Sequence, residues 1–197
     1  MKRRPEAGEA MKWIYRHPAV YNLIDSVLSL SMADRVRNKV FAPLKSSSLV
    51  EIGVGSGKNM SILASPVRVG VDTSLDMLEF TRTRFKDVRL VVGDATCLPL
   101  RDGSFDTSVF CYVLRGLKSP AGAVREALRV SSRVVIVDYD RPFFIPRFIW
   151  DNVINWFGRT VYGSSDLDYA AIEKLGAYKE VLRYYGGLYR VVVLAAR

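Results

Sequence analysis

The segment VEIGVGSGKN, Val50–Asn59, decides the fold of this 197-residue chain. An apolar run closes on an acid, Glu51, and glycines follow at 53, 55 and 57, as where a strand turns toward a helix. Each glycine removes a Cβ from one edge of the turn, so the backbone can approach a ligand closely and adopt dihedrals that other residues resist. A dinucleotide loop places its third glycine one residue further on, as G-x-G-x-x-G, and holds a pyrophosphate at the helix N-terminus. The tighter E-x-G-x-G-x-G spacing here reads as a nucleotide-cofactor loop of another kind.

Working outward, VRVGVD (67–72) alternates and is β-branched, so it reads as a second strand whose last residue, Asp72, leaves the carboxyl edge of the sheet. There it is placed to grip ribose hydroxyls. VRLVVGDA (88–95) repeats the arrangement, setting the Asp94 carboxylate and the Ala95 amide beside an adenine edge. An Asp after a strand is, taken singly, ordinarily a helix cap or turn former. Joined by FDTSVFCYVL as a fourth strand, these ends instead make the crevice that open α/β sheets build at their carboxyl edge.

The rest of the chain fits this plan. GKNMSILAS is expected as the first helix, SLDMLEFTRTRF as the second and PAGAVREALRV as the one after strand four, with RVVIVDY as the fifth strand. YKEVLRYY and LYRVVVLAA flank Gly186 and Gly187 and predict an antiparallel hairpin over 178–195. A nicotinamide enzyme would more often continue with parallel strands. The expected class is therefore α/β: a Rossmann-like, doubly wound, seven-stranded sheet with an antiparallel C-terminal hairpin and an N-terminal helical lid.

Composition narrows the function classes. An apolar content of 49% makes the chain globular, and two cysteines, Cys97 and Cys111, with one histidine leave little for disulfide or zinc chemistry, so no metal is expected. MKRRPEAGEA starts with charge, then acidic and small residues, rather than an apolar leader, and no apolar run approaches the roughly eighteen residues of a membrane span. A cytoplasmic enzyme is expected. The net charge of +9 is spread along the chain, which favours a generally cationic surface over a dedicated nucleic-acid arm. Such a surface still attracts RNA, anionic headgroups or an acidic substrate.

The chain divides into an N-terminal lid (1–46), a cofactor-binding core (47–141), a helical insertion (142–177) and the hairpin (178–197). Two aromatic-rich stretches, Trp13–Phe41 and Pro142–Tyr162, are the specificity candidates. In the second, Ile145, Phe148, Ile149, Val153, Trp156 and Phe157 recur at helical spacing, with Trp150 and Ile154 widening the face. Packing on the sheet is the expected use of this stripe. A lid over an apolar acceptor, and contact with a membrane surface, are the functional alternatives.

The glycine loop with Glu51 resembles motif I of the class I S-adenosylmethionine methyltransferases, in which a cationic ligand replaces the pyrophosphate. YNLIDSVLSLSMADRVR, GDATCLPLRDGSFDTSVFCYVLRGLKSPAGAVREALRV, VVIVDYDRP and LGAYKEVLRYYGGLYRVVVLAAR resemble, in order, segments of the ubiquinone/menaquinone biosynthesis C-methyltransferases. That family carries Y-D-x-x-N in its N-terminal helix, G-D-A-x-x-L-P-F before an S-F-D strand, then an Arg-Asn pair, and a fifth strand ending in E-F-S-K-P. The resemblance implies that Ser56, Asp72, Asp94, Ala95 and Cys111 bind S-adenosylmethionine, with Glu51, Gly53 and Gly55 completing the loop; Cys111 stands where the family usually has Ser. The departures are Gly116 in place of the Asn after Arg115, Asn22 and Asp25 in reversed order beside Tyr21, and a shorter stretch before Leu175.

The implied acceptor is a small aromatic or lipid-like molecule, with carbon methylation of a quinone precursor as the narrow form. Methylating a phenolic carbon requires loss of the hydroxyl proton, hence an oxyanion stabiliser and a base. Arg115 is the candidate stabiliser, weighed against a plain surface cation, and Tyr21 or Asp25 would position a water that takes the proton. His17, before Pro18, is expected to be a cap or turn residue. Two alternatives stay open: an RNA or protein methyltransferase, favoured by charge but lacking an N-P-P-Y-type motif where the chain reads CYVLRG, and a binder without turnover, to which Gly116 and the shortened lid would point.

Overall fold

A computed structural model describes residues 17, 19–20, 32–150, 152 and 167–196. Strands β1 (Ser48–Ile52), β2 (Val67–Asp72), β3 (Arg89–Val92), β4 (Phe105–Cys111) and β5 (Ser131–Tyr139) run parallel. Strands β6 (Tyr178–Tyr184) and β7 (Tyr189–Ala195) form the hairpin, β7 lying antiparallel to both β5 and β6. The strand order is β3-β2-β1-β4-β5-β7-β6. The order reverses between β1 and β4, which places the crevice of an open α/β sheet at the carboxyl ends of those two strands.

The period of two along each strand divides the core between the two faces. Val50, Ile52, Phe110, Val134 and Ile136 pack with α3 (Pro120–Val130) and α4 (Tyr169–Glu173) on one side. Leu49, Val109, Val135 and Val137 pack with α1 (Met32–Phe41) on the other. Helix α3 begins on Pro120, whose missing N–H costs nothing at the first turn, and buries Ala123, Val124, Ala127 and Val130 along one stripe. Helix α2 (Leu75–Arg84) starts at Ser74, whose hydroxyl accepts from the Met77 amide at 3.3 Å.

One expected helix is absent. GKNMSILAS forms only the 3₁₀ turn Lys58–Ser61, entered through Gly57 in a left-handed conformation (φ 73°). The reason is length. The chain must return from the carboxyl edge to the start of β2 between Gly57 and Val67, and nine helical residues rise only about 13 Å, short of the roughly 17–20 Å spanned by a typical strand. An extended connection covers that distance, and the sheet face left bare is covered by α1 through Ala33, Val36 and Phe41, with Leu63 beside them. The third strand is also shorter than VRLVVGDA predicts: pairing stops at Val92, and Asp94 makes only an isolated bridge to Cys97.

The apolar stripe after Pro142 does not pack as a whole. Trp150 is buried, whereas Phe148 and Ile149, in the single helical turn Arg147–Ile149, are exposed. The packing expectation therefore holds for Trp150 and fails for its two neighbours. Val153, Ile154, Trp156, Phe157, residues 1–16, 18 and 21–31 of the N-terminal lid and with them the candidates Tyr21, Asn22 and Asp25 lie outside the described residues, whereas α1, also within 1–46, packs on the sheet. No helix among the described residues is long and apolar enough to cross a membrane.

Candidate functional site

The glycine loop is stitched to β2 by two backbone bonds, from Gly53 and Val54 to the Val71 carbonyl at 2.8 and 3.0 Å. Gly53 has φ 77°, and a Cβ built on it would lie 2.5 and 2.7 Å from the two Val113 methyls. Alanine there meets both a disfavoured dihedral and a clash. Gly53→Ala should therefore lower the unfolding free energy by about 2–5 kcal/mol in denaturant titrations, the sum of a left-handed residue and one overpacked contact. A loss of only about 1–2 kcal/mol, the dihedral cost by itself, would show that Val113 yields freely. Gly55 differs: its φ is 51°, but a Cβ would find nothing within 4 Å, so the loop opens there onto space.

Beneath the loop lies Glu51, fully buried in β1. Its Oε1 accepts from Asn59 Nδ2, while Glu51 Oε2 and Asn59 Oδ1, both buried, have no partner among the described residues. Burial pushes the Glu51 carboxyl up to about 8, against the Asn59 bond and Arg37, which lower it, and with the Asp72 charge, which raises it. Arg37 reaches in from α1, only 4% exposed, paired to Asp34 at 2.5 Å and stacked over the Tyr112 ring at 4.8 Å. Lys58 joins the same Asp34 at 3.0 Å and so ties the helix to the turn after the glycines.

Asp72, at the end of β2, accepts from the Gly55 amide at 2.8 Å and the Ser74 amide at 2.9 Å. Burial raises its pKa and these amides oppose the rise. The next strand end is close, because the Gly93 amide donates to the Asp72 carbonyl at 3.0 Å. Asp94 itself is exposed and accepts from the Thr96 amide and hydroxyl, both at 2.7 Å, which hold its carboxyl low; Ala95 is buried. Ser56 is buried in the loop, its carbonyl accepting from Arg84 at 3.1 Å. Cys111 closes β4, its thiol pushed up to about 12 by burial, so it is a neutral lining group rather than a nucleophile. Tyr112 follows it at φ 58°, a left-handed non-glycine residue with its ring stacked on Tyr139 at 4.8 Å.

Arg115 stands apart from this group, on the 3₁₀ turn Leu114–Gly116. Its Nη1 donates to the Tyr139 carbonyl at 3.4 Å, and it lines a pocket of about 170 Å³ with Asp140, Arg141, Arg147, Trp150 and Tyr169. The buried Asp138 lies close by, pushed up to about 6 by burial although Arg115 and neighbouring backbone amides favour its charge. His17 is exposed.

Of the residues singled out in the sequence, Asp72 and Gly55 are joined by a hydrogen bond and Glu51 lies within electrostatic reach of Asp72 and Cys111, while Asp94 and Ala95 follow the end of β3. The sequence reading passed over Arg37, Asn59, Tyr112 and Asp138. Two of these carried a signal. Arg37 falls on the same helical stripe as Ala33 and Val36, an unusual place for a cation. Asp138 ends the apolar run VVIV just as Glu51 and Asp72 end theirs.

The chain is similar to known proteins. Residues 50–134 match the family described as a methyltransferase domain. The chain is 30% identical over 134 residues to a demethylmenaquinone methyltransferase of Renibacterium salmoninarum, covering 64% of this chain and 56% of that protein. It is 31% identical over 141 residues to the same enzyme of Paenarthrobacter aurescens, covering 68% and 54% respectively. The chain thus spans about half the length of the curated relatives it matches. Its fold is shared with the crystal structure of an S-adenosylmethionine-dependent methyltransferase of Thermotoga maritima, with a TM-score of 0.70 over 96% of this chain and all of that one, at 22% identity.

Proposed function

We propose that the chain, whose residues 50–134 match a methyltransferase domain, transfers the methyl group of S-adenosylmethionine to a small aromatic or lipid-like acceptor, with carbon methylation of a quinone precursor as the narrowest form. The observation that carries this reading is the pair of buried oxygens without partners among the described residues, Glu51 Oε2 and Asn59 Oδ1, under a glycine loop open at Gly55. Buried polar atoms are almost always satisfied, and once Glu51 is ionised these two oxygens are both acceptors and call for a donor, best a cationic one. The α-ammonium of S-adenosylmethionine fits that demand.

When bound, S-adenosylmethionine supplies a sulfonium methyl group already activated toward displacement. In this reading Glu51 and Asn59 hold the ammonium, Asp72 the ribose hydroxyls, and Asp94 with the Ala95 amide the adenine edge. The backbone at Gly53, Gly55 and Ser56 lies along the ligand, and Cys111 lines its floor. Arg115, permanently charged, stabilises the acceptor's phenolate, and Tyr21 with Asp25 orients the water that takes its proton. Residues 1–46 as a lid, with Trp150 and Leu167 buried in the wall of the Arg115 pocket, exclude solvent, which strengthens each of these interactions.

Arg115→Ala separates catalysis from binding. Methyl transfer to a demethylated quinone precursor should fall about a hundredfold to a thousandfold, the usual cost of one oxyanion donor, while S-adenosylmethionine affinity in titration calorimetry stays unchanged. Transfer to bulk RNA but not to the quinone precursor would move the acceptor to the nucleic-acid alternative. Cofactor binding without turnover on either would favour the non-catalytic one.

A further inference from the structure

Nine large apolar side chains are exposed among the described residues, and four of them fall within residues 143–149. Phe143, Phe144, Phe148 and Ile149 are 81, 63, 74 and 44% exposed, and Tyr185 at the neighbouring hairpin tip is 36% exposed. Single exposed apolar residues need no explanation, but a contiguous aromatic patch marks an interaction surface. The patch is built rather than frayed. Pro142 and Pro146 bracket its first two rings, and the Phe143 amide donates to the Gly186 carbonyl at 2.9 Å. The Ile145 amide donates back to Pro142 at 3.2 Å, and Arg141 Nη1 donates to the Ile145 carbonyl at 3.1 Å.

Gly186 lets the hairpin tip close against this loop. It has φ 64°, and a Cβ there would meet the Phe144 ring at 2.7 Å. Phe143 and Phe144 pack edge to face at 5.8 Å, so the two rings brace each other while facing solvent. Two exposed arginines, Arg141 and Arg147, flank them, within a chain of net charge +9. Aromatic rings ringed by arginine match the interfacial zone of an anionic bilayer, where the rings enter the acyl boundary and the guanidinium groups meet phosphates.

We propose that Phe143, Phe144, Phe148 and Ile149, flanked by Arg141 and Arg147, dock the protein on the surface of an anionic membrane. The same ten residues, 141–150, supply Arg141, Arg147 and Trp150 to the Arg115 pocket. Docking therefore brings the acceptor side of the site to the lipid, the route by which a water-insoluble acceptor would arrive. That consequence rests on the lipid-like acceptor reading; the docking itself does not.

The test is flotation of the full chain with phosphatidylcholine vesicles, with and without phosphatidylglycerol, and calorimetry with S-adenosylmethionine on the same preparations. The protein should float with the anionic vesicles and hardly at all with neutral ones, and raised salt should release it. Phe143→Ser with Phe148→Ser, the two most exposed rings, should cut vesicle binding about tenfold or more and leave cofactor affinity unchanged. Arg147→Gln should weaken binding to anionic vesicles only. A chain that binds the cofactor but floats with neither vesicle would overturn the docking and leave the methyltransferase reading standing. Flotation unaffected by the double substitution would overturn it too, as would a dimer in solution that the same substitutions dissolve. Flotation without cofactor binding would keep the docking and overturn the function.

Discussion

Asp72→Ala should weaken S-adenosylmethionine binding by about a hundredfold or more, with the fold intact. The carboxylate has two tasks at once. It accepts from the Gly55 amide at 2.8 Å and so fixes the most open residue of the glycine loop against the end of β2. In the proposed complex it also takes two ribose hydroxyls. Each hydrogen bond to a charged acceptor contributes about 1.5–3 kcal/mol, so losing both ligand contacts and the loop anchor corresponds to at least about two decades in Kd. The fold should survive, because β2 stays paired on both edges and α2 keeps its Ser74 cap to the Met77 amide. Asp72→Asn retains one acceptor for the Gly55 amide and should lie between wild type and alanine. Circular dichroism and calorimetry on the same samples give both readings. Unchanged affinity in Asp72→Ala would remove the carboxyl end of β2 from the cofactor site.

Much of this architecture was legible because its signals are local. The bounds of β2 and α3 coincide with those read from VRVGVD and PAGAVREALRV, since β-branched alternation marks the one and Pro120 opens the other. The hairpin follows from Gly186 and Gly187, which take φ 64° and 92°. The helix expected after Gly57 failed on a non-local quantity: the distance that the sheet requires the chain to cover in nine residues. The site shows the same division. Carboxylates at strand ends can be read from the sequence, because the last residue of a parallel strand is by construction on the ligand-bearing edge. Arg37 could not be paired with Tyr112 and the Glu51 pocket without knowing that α1 replaces the missing helix on that face. Phe148 and Ile149 read as core because periodicity reports a shared face, not what that face meets. Here it meets solvent.

The affinity for S-adenosylmethionine should itself depend on pH, rising between about pH 6 and 8, and Glu51→Gln should abolish that rise. Glu51 has an ordinary value of 4.5 and is pushed up to about 8 in the folded, ligand-free chain, so at neutral pH it carries a proton. Pairing it with an ammonium requires the ionised form. Binding must then release that proton, and well below pH 8 the affinity gains about tenfold per pH unit. The rise ends near pH 8, where the carboxyl is ionised beforehand and an α-amino group, with a pKa of about 7.7–8.0, begins to lose its own charge. Stability runs the opposite way. The folded pKa lies above the unfolded one, so as pH climbs from about 4.5 to 8 the unfolded chain gives up a proton that the folded chain keeps, and the folded state is progressively penalised. Above about 8 the cost is fully present. Glu51→Gln keeps an acceptor for Asn59 Nδ2, removes the buried charge, and should raise the unfolding temperature at pH 8. The same substitution should cost about tenfold or more in affinity at pH 8 and little at pH 6, because the wild-type residue is protonated there. Calorimetry in two buffers of different ionisation enthalpy reads the released proton directly. Binding without proton release at pH 7, or a pH slope that Glu51→Gln leaves intact, would show that the buried carboxylate is not the group that receives the ligand's positive charge.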